Sequence, residues 1–237
     1  VAVTGHYTGT ADLFGTTFTS QGGTMDAFVA QLDAQTGAVQ WVRSGGGALY
    51  SDRSAGVALA GNGDVLVTGE FKGTALFDAL SLTSMIDPLT LLPSFDVFVA
   101  SYSTTGTLQW LQQGAAPHDD KGVAIAADAT GAVYVTGQYS ADITFDQLHV
   151  NALQNSTFLI ALDATGSEQW FRNCGGPSYT VVRDLSHQGR SAGLWRHAGR
   201  NDLRRPGAGA HRPLGRLQRL PPAGEHERRT AGSCGGG

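Results

Sequence analysis

The side chains that could carry catalysis or bind a metal are few in this 237-residue sequence and stand far apart. Cys174 and Cys234 are its only cysteines, and this pair indicates neither a native disulfide nor a zinc site. In the first 183 residues, His6, His118 and His149 are isolated and lack the H-x-x-x-H spacing of zinc-binding helices. No Ser, His and Asp order and no pair of carboxylates stands out. We therefore predict no catalytic, cofactor-binding or metal-binding residues, and no cofactor.

The most polar cluster is the His-Asp-Asp-Lys sequence at residues 118–121, which could bind an ion. We favour a solvated loop, because charged residues between strands usually face water. The Asn-Ser-Thr triplet at residues 155–157 fits a glycosylation acceptor, a pattern that is common by chance. The glycines at residues 45–47 and 175–176 are interpreted as turns, because no lysine or strand-to-helix transition follows them, as a phosphate-binding loop requires.

Three tryptophans recur at intervals of 69 and 60 residues: Trp41, Trp110 and Trp170. An exposed tryptophan can stack on a sugar or a base, so these side chains could form a binding surface. Their regular position at the start of the last strand of each copy favours packing instead, because a Trp between neighbouring repeats buries a large apolar area.

The elements around these residues repeat. Residues 122–173 contain short segments rich in β-branched and aromatic residues, separated by Asp-x-x-Gly turns, which is typical of antiparallel strands. Similar copies precede them, and Val-Thr-Gly triplets begin at Val3, Val67 and Val135, 64 and 68 residues apart. In this alignment Gly56 matches Gly122, and Cys174 matches Ser44. About four strands per copy at this period predict an all-β fold of β-propeller blades, each a four-stranded antiparallel sheet.

The period divides the chain into a partial first blade (1–53), a second blade (54–120), a third blade (121–179) and the start of a fourth (180–185). The sequence begins within a blade, which indicates a fragment of a longer protein, and three blades cannot close a ring. The second copy is longer because of residues 84–93, an apolar segment with two prolines. Such an insertion could be a contact surface, but we favour a loop that folds back on its own blade.

The composition changes near residue 184. Residues 1–183 contain six basic and sixteen acidic residues, a net charge of −10, whereas residues 184–237 contain ten Arg and four acidic residues, a net charge of +6. Residues 186–237 contain no Val, Ile, Phe or Tyr, so we predict a disordered basic tail. A basic arm for nucleic acid is one hypothesis. We favour a shifted reading frame, because allowed codons of residues 186–195 read one nucleotide later restore a Leu-Val-Tyr strand.

The repeated Val-Thr-Gly, Asp-x-Phe-Val-Ala and Gln-Trp motifs of residues 1–185 resemble the SBBP β-propeller repeats of bacterial secreted and surface proteins. The resemblance implies a propeller of several blades in an extracellular or cell-surface protein. Because turns and core account for nearly every patterned residue, we expect a non-enzymatic module for protein or glycan interaction or for scaffolding, with the remaining blades as its partners. We expect no nucleic-acid partner. We also expect no membrane insertion, because no apolar run approaches the roughly 20 residues of a membrane helix. The Asp-to-Trp segments 33–41 and 163–170 also resemble the tryptophan-docking repeats of pyrroloquinoline-quinone proteins. The alternative is therefore a fragment of a propeller enzyme, such as a quinone-dependent dehydrogenase or a carbohydrate-active protein.

Overall fold

A computed structural model describes residues 1–151, 156–175 and 180–186. These residues form an all-β structure whose paired strands are antiparallel, as predicted. One short helical turn, Gln21–Gly23, interrupts the strands of the described part. The strands are β1 (Ala2–Thr8), β2 (Thr10–Leu13), β3 (Thr16–Thr19), β4 (Met25–Leu32), β5 (Val39–Gly46), β6 (Arg53–Leu59), β7 (Val65–Lys72), β8 (Thr74–Phe77), β9 (Leu80–Thr83), β10 (Phe95–Tyr102), β11 (Leu108–Ala115), β12 (Lys121–Ala127), β13 (Val133–Tyr139), β14 (Ile143–Phe145), β15 (Leu148–Val150), β16 (Ser156–Leu162) and β17 (Glu168–Cys174).

The repeated unit is a four-stranded antiparallel meander with a hairpin inserted after its second strand. In the second unit the meander is β6-β7-β10-β11, and in the third unit it is β12-β13-β16-β17. The first unit shows β1, β4 and β5, the counterparts of the last three strands. Each strand of a meander pairs with the next, and the long connection within each meander is the one that carries the hairpin.

The inserted hairpin leaves its own sheet and extends the preceding one. Hairpin β8–β9 pairs with β5 of the first unit, where Gly45 lies opposite Phe77. Hairpin β14–β15 pairs in the same way with β11 of the second unit, where Gly114 lies opposite Phe145. The sheets therefore contain five, six and four strands rather than four each. The sequence period places the hairpin in its copy but carries no information on which sheet it joins.

The strand pairing corrects the alignment of the first strands. Gly56 lies opposite Thr68, and the residue opposite the equivalent Thr136 is Ala124, not Gly122. The expected match of Gly56 with Gly122 was therefore wrong by two residues. A shift of two leaves each side chain on the same face of a strand, so the alternation of apolar residues did not reveal the error.

Both faces of β7 are buried, because its sheet packs against the first sheet on one side and the third sheet on the other. Val65, Leu66, Val67, Thr68 and Gly69 are consecutive residues of β7, and all five are buried. The largest aromatic cluster lies between the second and third units, where ring-to-ring contacts join Tyr139, Phe145, Phe158 and Phe171.

The first strands of neighbouring sheets approach closely. Strand β6 packs against both β1 and β12. A Cβ atom placed on Gly56 would lie 2.9 Å from the Cα atom of Ala124, so this position of β6 has no room for a side chain. The small residues of the first strands thus set the distance between the sheets.

The Asp-x-x-Gly turns are closed by hydrogen bonds from backbone amides to the Asp side chain and by a Gly with positive φ. The Asp163 carboxylate accepts hydrogen bonds from the amides of Thr165 and Ser167, at 2.9 and 3.1 Å. Gly166 follows with a positive φ of 86°. Asp128 holds the turn before β13 in the same way, through the amides of Thr130 and Ala132. Each turn delivers the chain into the next strand of its sheet.

The start of the fourth unit forms no strand among residues 180–186, although Val182 is buried. Apart from Ser186, the predicted basic tail lies outside the described residues.

Candidate functional site

Four aspartates are almost completely buried at the junctions between units. Asp26 begins the segment Asp-x-Phe-Val-Ala of the first unit, and Asp96 begins that of the second. Asp52 immediately precedes β6, and Asp120 immediately precedes β12. Their exposed fractions lie between 0 and 2 %. The junction of the first and second units therefore contains one pair of carboxyl groups, and the junction of the second and third units contains an equivalent pair.

The backbone brings each pair together. The amide of Asp52 donates a 2.7 Å hydrogen bond to the carbonyl of Met25, the residue before Asp26. The amide of Asp120 donates a bond of the same length to the carbonyl of Phe95, the residue before Asp96. The start of one unit is thus fixed against the third strand of the preceding unit.

At the first junction the carboxylates accept hydrogen bonds from the loop backbone. Asp52 accepts from the amides of Gly47 at 2.7 Å and Lys72 at 3.0 Å. Asp26 accepts from the amide of Gln21 at 3.0 Å, while its Oδ1 is buried without a hydrogen-bond partner. Gly45 and Gly46 are the last residues of β5, so the interpretation of residues 45–47 as a turn was wrong for these two. Gly47, which follows the strand, helps to hold the buried carboxyl group of Asp52.

At the second junction, Asp96 accepts more hydrogen bonds than Asp120 does. Its Oδ2 accepts from the amide of Met85 at 3.0 Å and from Nε2 of Gln113 at 2.7 Å. Asp120 accepts from the amide of Ser140 at 3.0 Å through Oδ1, and its Oδ2 is buried without a hydrogen-bond partner. A buried carboxylate oxygen without a donor disfavours the ionised form.

Burial controls the protonation of these groups. It raises the pKa of Asp52 to about 7, of Asp96 to about 6 and of Asp120 to about 9, and it also raises the pKa of Asp26. Hydrogen bonds from backbone amides oppose the rise, while the neighbouring carboxylates Asp26 and Asp96 add to it at Asp52 and Asp120 respectively. Asp120 is therefore protonated at neutral pH and can donate a proton as well as accept hydrogen bonds.

A cleft of about 300 Å³ opens beside Asp120, between the second and third units. Its walls include the ring of Phe95 and the polar side chains of Glu70, Lys121 and Gln138. The Phe95 ring lies 5.0 Å from the Lys72 ammonium nitrogen and 5.5 Å from the Arg53 guanidinium carbon. The volume is at the lower end of the range of small-ligand pockets, and the lining combines aromatic and polar groups.

The strand register explains why the two junctions differ. Arg53 lies opposite Glu70 at the first junction, and these side chains form an ion pair of 2.6 Å. At the second junction Lys121 lies opposite Gln138. This pair joins a cation to a neutral amide, so it lacks the charge attraction that holds Arg53 against Glu70. The substitution leaves polar groups facing the cleft.

The prediction of a solvated loop at residues 118–121 was wrong for one of its members. Asp119 and Lys121 are exposed, but Asp120 is 1 % exposed. His118 lies 3.1 Å from Asp87, which joins the loop to the insertion of the second unit. Asp120 is buried because its carboxyl group holds the amide of Ser140 at the end of β13.

The other histidines and Cys174 lie apart from this cluster. His6 is exposed on β1, and His149 contacts the hydroxyl of Thr144 at 2.9 Å. Cys174 is a buried thiol that lies opposite Thr157, as Gly45 lies opposite Ala27. Its expected equivalence to Ser44 was therefore wrong by one residue. Asn155, Gly176 and Cys234 lie outside the described residues.

Two of the three tryptophans pack as predicted. Nε1 of Trp41 donates a 3.1 Å hydrogen bond to the carbonyl of Thr104, and Nε1 of Trp110 donates a 3.0 Å bond to the carbonyl of Ala164. Each ring covers the glycine of the same turn, since a Cβ on Gly106 or Gly166 would lie 2.7 or 2.8 Å from it. Each tryptophan thus docks on the last turn of the following unit. Trp170, in contrast, is 36 % exposed.

The insertion of the second unit closes on itself but leaves its apolar tip exposed. Ile86 bridges to Pro93, and the amide of Asp87 donates to the carbonyl of Leu92 at 2.8 Å. Leu89 is 82 % and Leu91 76 % exposed. The loop folds back, as the favoured prediction has it. Its tip also exposes the apolar side chains that the other hypothesis, a contact surface, requires.

Sequence reasoning missed the paired carboxylates, although the repeat contains a signal for them. An aspartate starts the Asp-x-Phe-Val-Ala segment in two copies, and an Asp followed by a basic residue precedes the first strand in two copies. Polar residues at one position of successive repeats, next to apolar strands, indicate a shared structural position. In the third unit the position of Asp26 and Asp96 is taken by Ser156, so the pattern is incomplete.

Among the described residues, no group of three or more His, Cys, Asp or Glu side chains is placed to hold a metal ion. The same residues include no helix with the length and hydropathy to cross a membrane. Comparison of the sequence with protein-family models and with curated proteins found no match. The arrangement offers a polar cleft with an adjoining proton donor, suited chemically to hydrogen-bonding a neutral or weakly charged ligand.

Proposed function

We propose that this chain is a non-enzymatic β-propeller repeat module of the SBBP type, exposed outside the cell, which binds a glycan in the cleft between its second and third units. The close packing of β6 on β1 and β12 supports a radial arrangement of the sheets as consecutive blades. The resemblance of residues 1–185 to SBBP repeats supports the extracellular location.

The observation that carries the binding function is the lining of the cleft. Sugars present hydroxyl groups together with apolar C–H faces, and the cleft offers an aromatic ring, Phe95, beside Glu70 and Gln138. Asp120 supports the wall from behind, because its hydrogen bond to the Ser140 amide holds the end of β13. Asp119 and Asp120 accept hydrogen bonds from the backbone amides of Phe95 and Ser140, as structural groups do, which supports binding rather than catalysis. Glu70, the third carboxyl group of the lining, is paired with Arg53.

A glycan array probed with the intact 237-residue protein, followed by titration calorimetry with the best ligand, tests this function. We expect Gln138→Ala to weaken binding about tenfold, as loss of a hydrogen bond to a ligand typically does. Gln40→Ala provides a matched control, because Gln40 is an exposed glutamine on β5 of the first unit. Absence of glycan binding, or equal loss with both variants, would count against the proposal.

A second candidate, a fragment of a quinone-dependent propeller dehydrogenase, is favoured by the docking of Trp41 and Trp110 on the following turns. The tryptophan-docking repeats of such enzymes share this arrangement of motif and turn. Incubation of the intact protein with pyrroloquinoline quinone and calcium, followed by dye reduction with alcohol and sugar substrates, separates the two candidates. Dye reduction that depends on the quinone would replace the first proposal by the second.

A further inference from the structure

Positive charge is scarce in residues 1–183, and much of it lies around the cleft between the second and third units. These residues contain six basic and sixteen acidic side chains, and Lys72 and Lys121 are the only lysines of the whole chain. Lys121 lines the cleft, and the Lys72 ammonium lies 5.0 Å from the ring of Phe95, which lines it as well. With Arg53, whose guanidinium carbon is 5.5 Å from the same ring, three of the six basic residues are gathered at one place.

The strand register puts Lys72 on the wall of the cleft. Lys72 lies directly opposite Phe95 in the pairing of β7 with β10. Glu70, two residues earlier on β7, also lines the cleft, and alternate residues of a strand project from the same face. The Lys72 ammonium rests against the rings of Phe95 and Tyr50, at 5.0 and 5.5 Å. Aromatic rings hold the cation in place but leave its charge uncompensated.

Two of the three carboxyl groups that line the cleft cannot neutralise the lysines. Glu70 already forms a 2.6 Å ion pair with Arg53. Asp120 is protonated at neutral pH, because burial raises its pKa to about 9. Asp119 supplies the remaining carboxylate, and its Oδ1 accepts a 3.0 Å hydrogen bond from the amide of Phe95.

The charges around the cleft therefore sum to a positive value. Among the described residues, neither Lys72 nor Lys121 forms an ion pair. Two ammonium groups thus stand against the carboxylate of Asp119, since the charges of Arg53 and Glu70 cancel. The local net charge is +1, whereas residues 1–183 as a whole carry −10. A cation-lined cleft in an acidic protein attracts an anionic group to that one place.

The first junction lacks this combination of a cation and a ring. Thr8 lies opposite Met25 in the pairing of β1 with β4, at the positions that Lys72 and Phe95 occupy in the second unit. The repeated framework therefore folds with neither an ammonium group nor an aromatic ring at this place. Their presence at the second junction indicates a role other than holding the sheets together.

The anion that suits the cleft is small and carries few charges. The volume of about 300 Å³ is that of a small-ligand site. Two ammonium groups match one or two carboxylates, whereas the surrounding net charge of −10 repels a long polyanion such as a nucleic acid. The ring of Phe95 beside them offers a surface for the C–H face of a sugar.

We propose that the glycan-binding cleft selects acidic saccharides, whose carboxylate groups pair with Lys72 and Lys121 while a sugar ring packs on Phe95. This inference rests on the function proposed above and adds the class of ligand to it. A hydrogen bond between an ammonium and a carboxylate is stronger than one between neutral groups. Of two sugars that differ only in charge, the acid therefore binds more tightly.

A glycan array with matched pairs of sugars tests this selectivity on the intact 237-residue protein. Each pair holds an acid and its neutral counterpart, such as trigalacturonic acid and its methyl ester, or sialyllactose and lactose. In titration calorimetry, we expect the acid of the best pair to bind at least about tenfold more tightly than its counterpart. Raising the salt concentration from about 0.05 M to about 0.5 M should weaken binding of the acid alone, because salt screens charge attraction.

Substitution of the lysines shows where the anion is bound. Lys72→Gln should lower the affinity for the acid about tenfold and leave that for the neutral sugar unchanged, whereas Lys72→Arg should retain the preference. Lys121→Gln, at an exposed position, should act in the same direction as Lys72→Gln. Arg43→Gln is the matched control, because it removes one positive charge from β5 of the first unit, away from the cleft. Equal losses from Lys72→Gln and Arg43→Gln would assign the effect to overall charge and overturn the proposal.

The selectivity and the binding function fail in different ways. If neutral sugars bind as tightly as their acids, the acidic class of ligand is wrong and the glycan-binding function stands. If no sugar on the array binds, both proposals are overturned.

Discussion

The indole nitrogen of Trp110 lies 3.0 Å from the carbonyl oxygen of Ala164, so a side chain of the second unit is hydrogen-bonded to a turn of the third. Trp41 makes the equivalent contact with Thr104 at 3.1 Å. Because the ring and its acceptor belong to different units, the stability of each unit depends on its neighbour.

Replacing a docked tryptophan should destabilise the whole described array. We expect Trp41→Ala to lower the free energy of unfolding by about 3–5 kcal/mol, because a large buried ring and its hydrogen bond are lost together. Trp170→Ala is the comparison, and its cost should be smaller than that of Trp41→Ala, because Trp170 is 36 % exposed and Trp41 only 7 %. Guanidinium denaturation of dilute protein measures both values, and equal losses would contradict the docking role.

The glycine of the hairpin junction should not tolerate a methyl group. We expect Gly114→Ala to cost about 1–3 kcal/mol, because its Cβ would lie 2.2 Å from the Phe145 ring. Adding Phe145→Leu should restore part of the loss by making room, so the double variant should lose less stability than the sum of the two single losses in a double-mutant cycle. Gly61→Ala is the control, since its nearest contact would be an ordinary 3.4 Å. Additive effects of the two changes would contradict direct contact.

Stability should fall as pH rises through the neutral range. Burial raises the pKa of Asp52 to about 7 and of Asp120 to about 9, from an ordinary value of 3.8. Between pH 3.8 and the raised pKa of each group, the folded protein holds a proton that the unfolded chain has released. Each such group lowers the free energy of unfolding by up to about 1.4 kcal/mol per pH unit as pH rises. Denaturant titrations between pH 5 and pH 9 should show this decline.

Asp120→Asn identifies the main contributor. The amide oxygen keeps the hydrogen bond from Ser140, and the amide group cannot ionise. The variant should match the parent near pH 5 and exceed its stability near pH 9, with a smaller slope in between. Asp12→Asn, at an exposed aspartate of β2 whose charge does not act on Asp52 or Asp120, should leave the slope unchanged. A parent whose stability is constant over this range would contradict the buried, protonated state.

The aspartate turns should matter through their oxygen atoms rather than their charge alone. The Asp128 Oδ1 atom accepts from the amides of Thr130 and Ala132, at 2.8 and 3.0 Å. We expect Asp128→Ala to cost about 1 kcal/mol and Asp128→Asn roughly half of that, because the amide retains an oxygen acceptor. Thermal unfolding of the three proteins gives the comparison. An Asn variant as unstable as the Ala variant would assign the effect to charge.

The sequence predicted the strands well, because alternating β-branched residues and Asp-x-x-Gly turns are local signals. Val133–Tyr139 and its turn were both recognised in this way. The sheet that each hairpin joins was beyond prediction, since pairing of Phe77 with Gly45 depends on contacts between distant segments. The shift of Gly56 against Gly122 had a similar origin, because period-two patterns are unchanged by a displacement of two residues.

The candidate site was largely missed because charged residues in a sequence are normally predicted to be exposed to solvent. Asp120 stands between two charged residues, and this neighbourhood is typical of a solvated loop. Its burial depends on the loop after β11 folding under the end of β13, where the Ser140 amide needs an acceptor. Lys121 and Gln138 line the cleft at the position where the second unit has the Arg53–Glu70 ion pair. Only the strand register shows that these two pairs are equivalent.

The crossing hairpins mean that the boundaries of the genetic repeat and of the cooperative folding unit do not coincide. A gene segment for residues 54–120 would encode hairpin β8–β9 without the β5 edge that it joins, and strand β11 without hairpin β14–β15. Excision or duplication at the repeat boundary would therefore leave hairpin β8–β9 without a sheet to join and strand β11 with an unpaired edge. Each unit is therefore completed by a segment of its neighbour, and local opening of one hairpin removes contacts from two units at once.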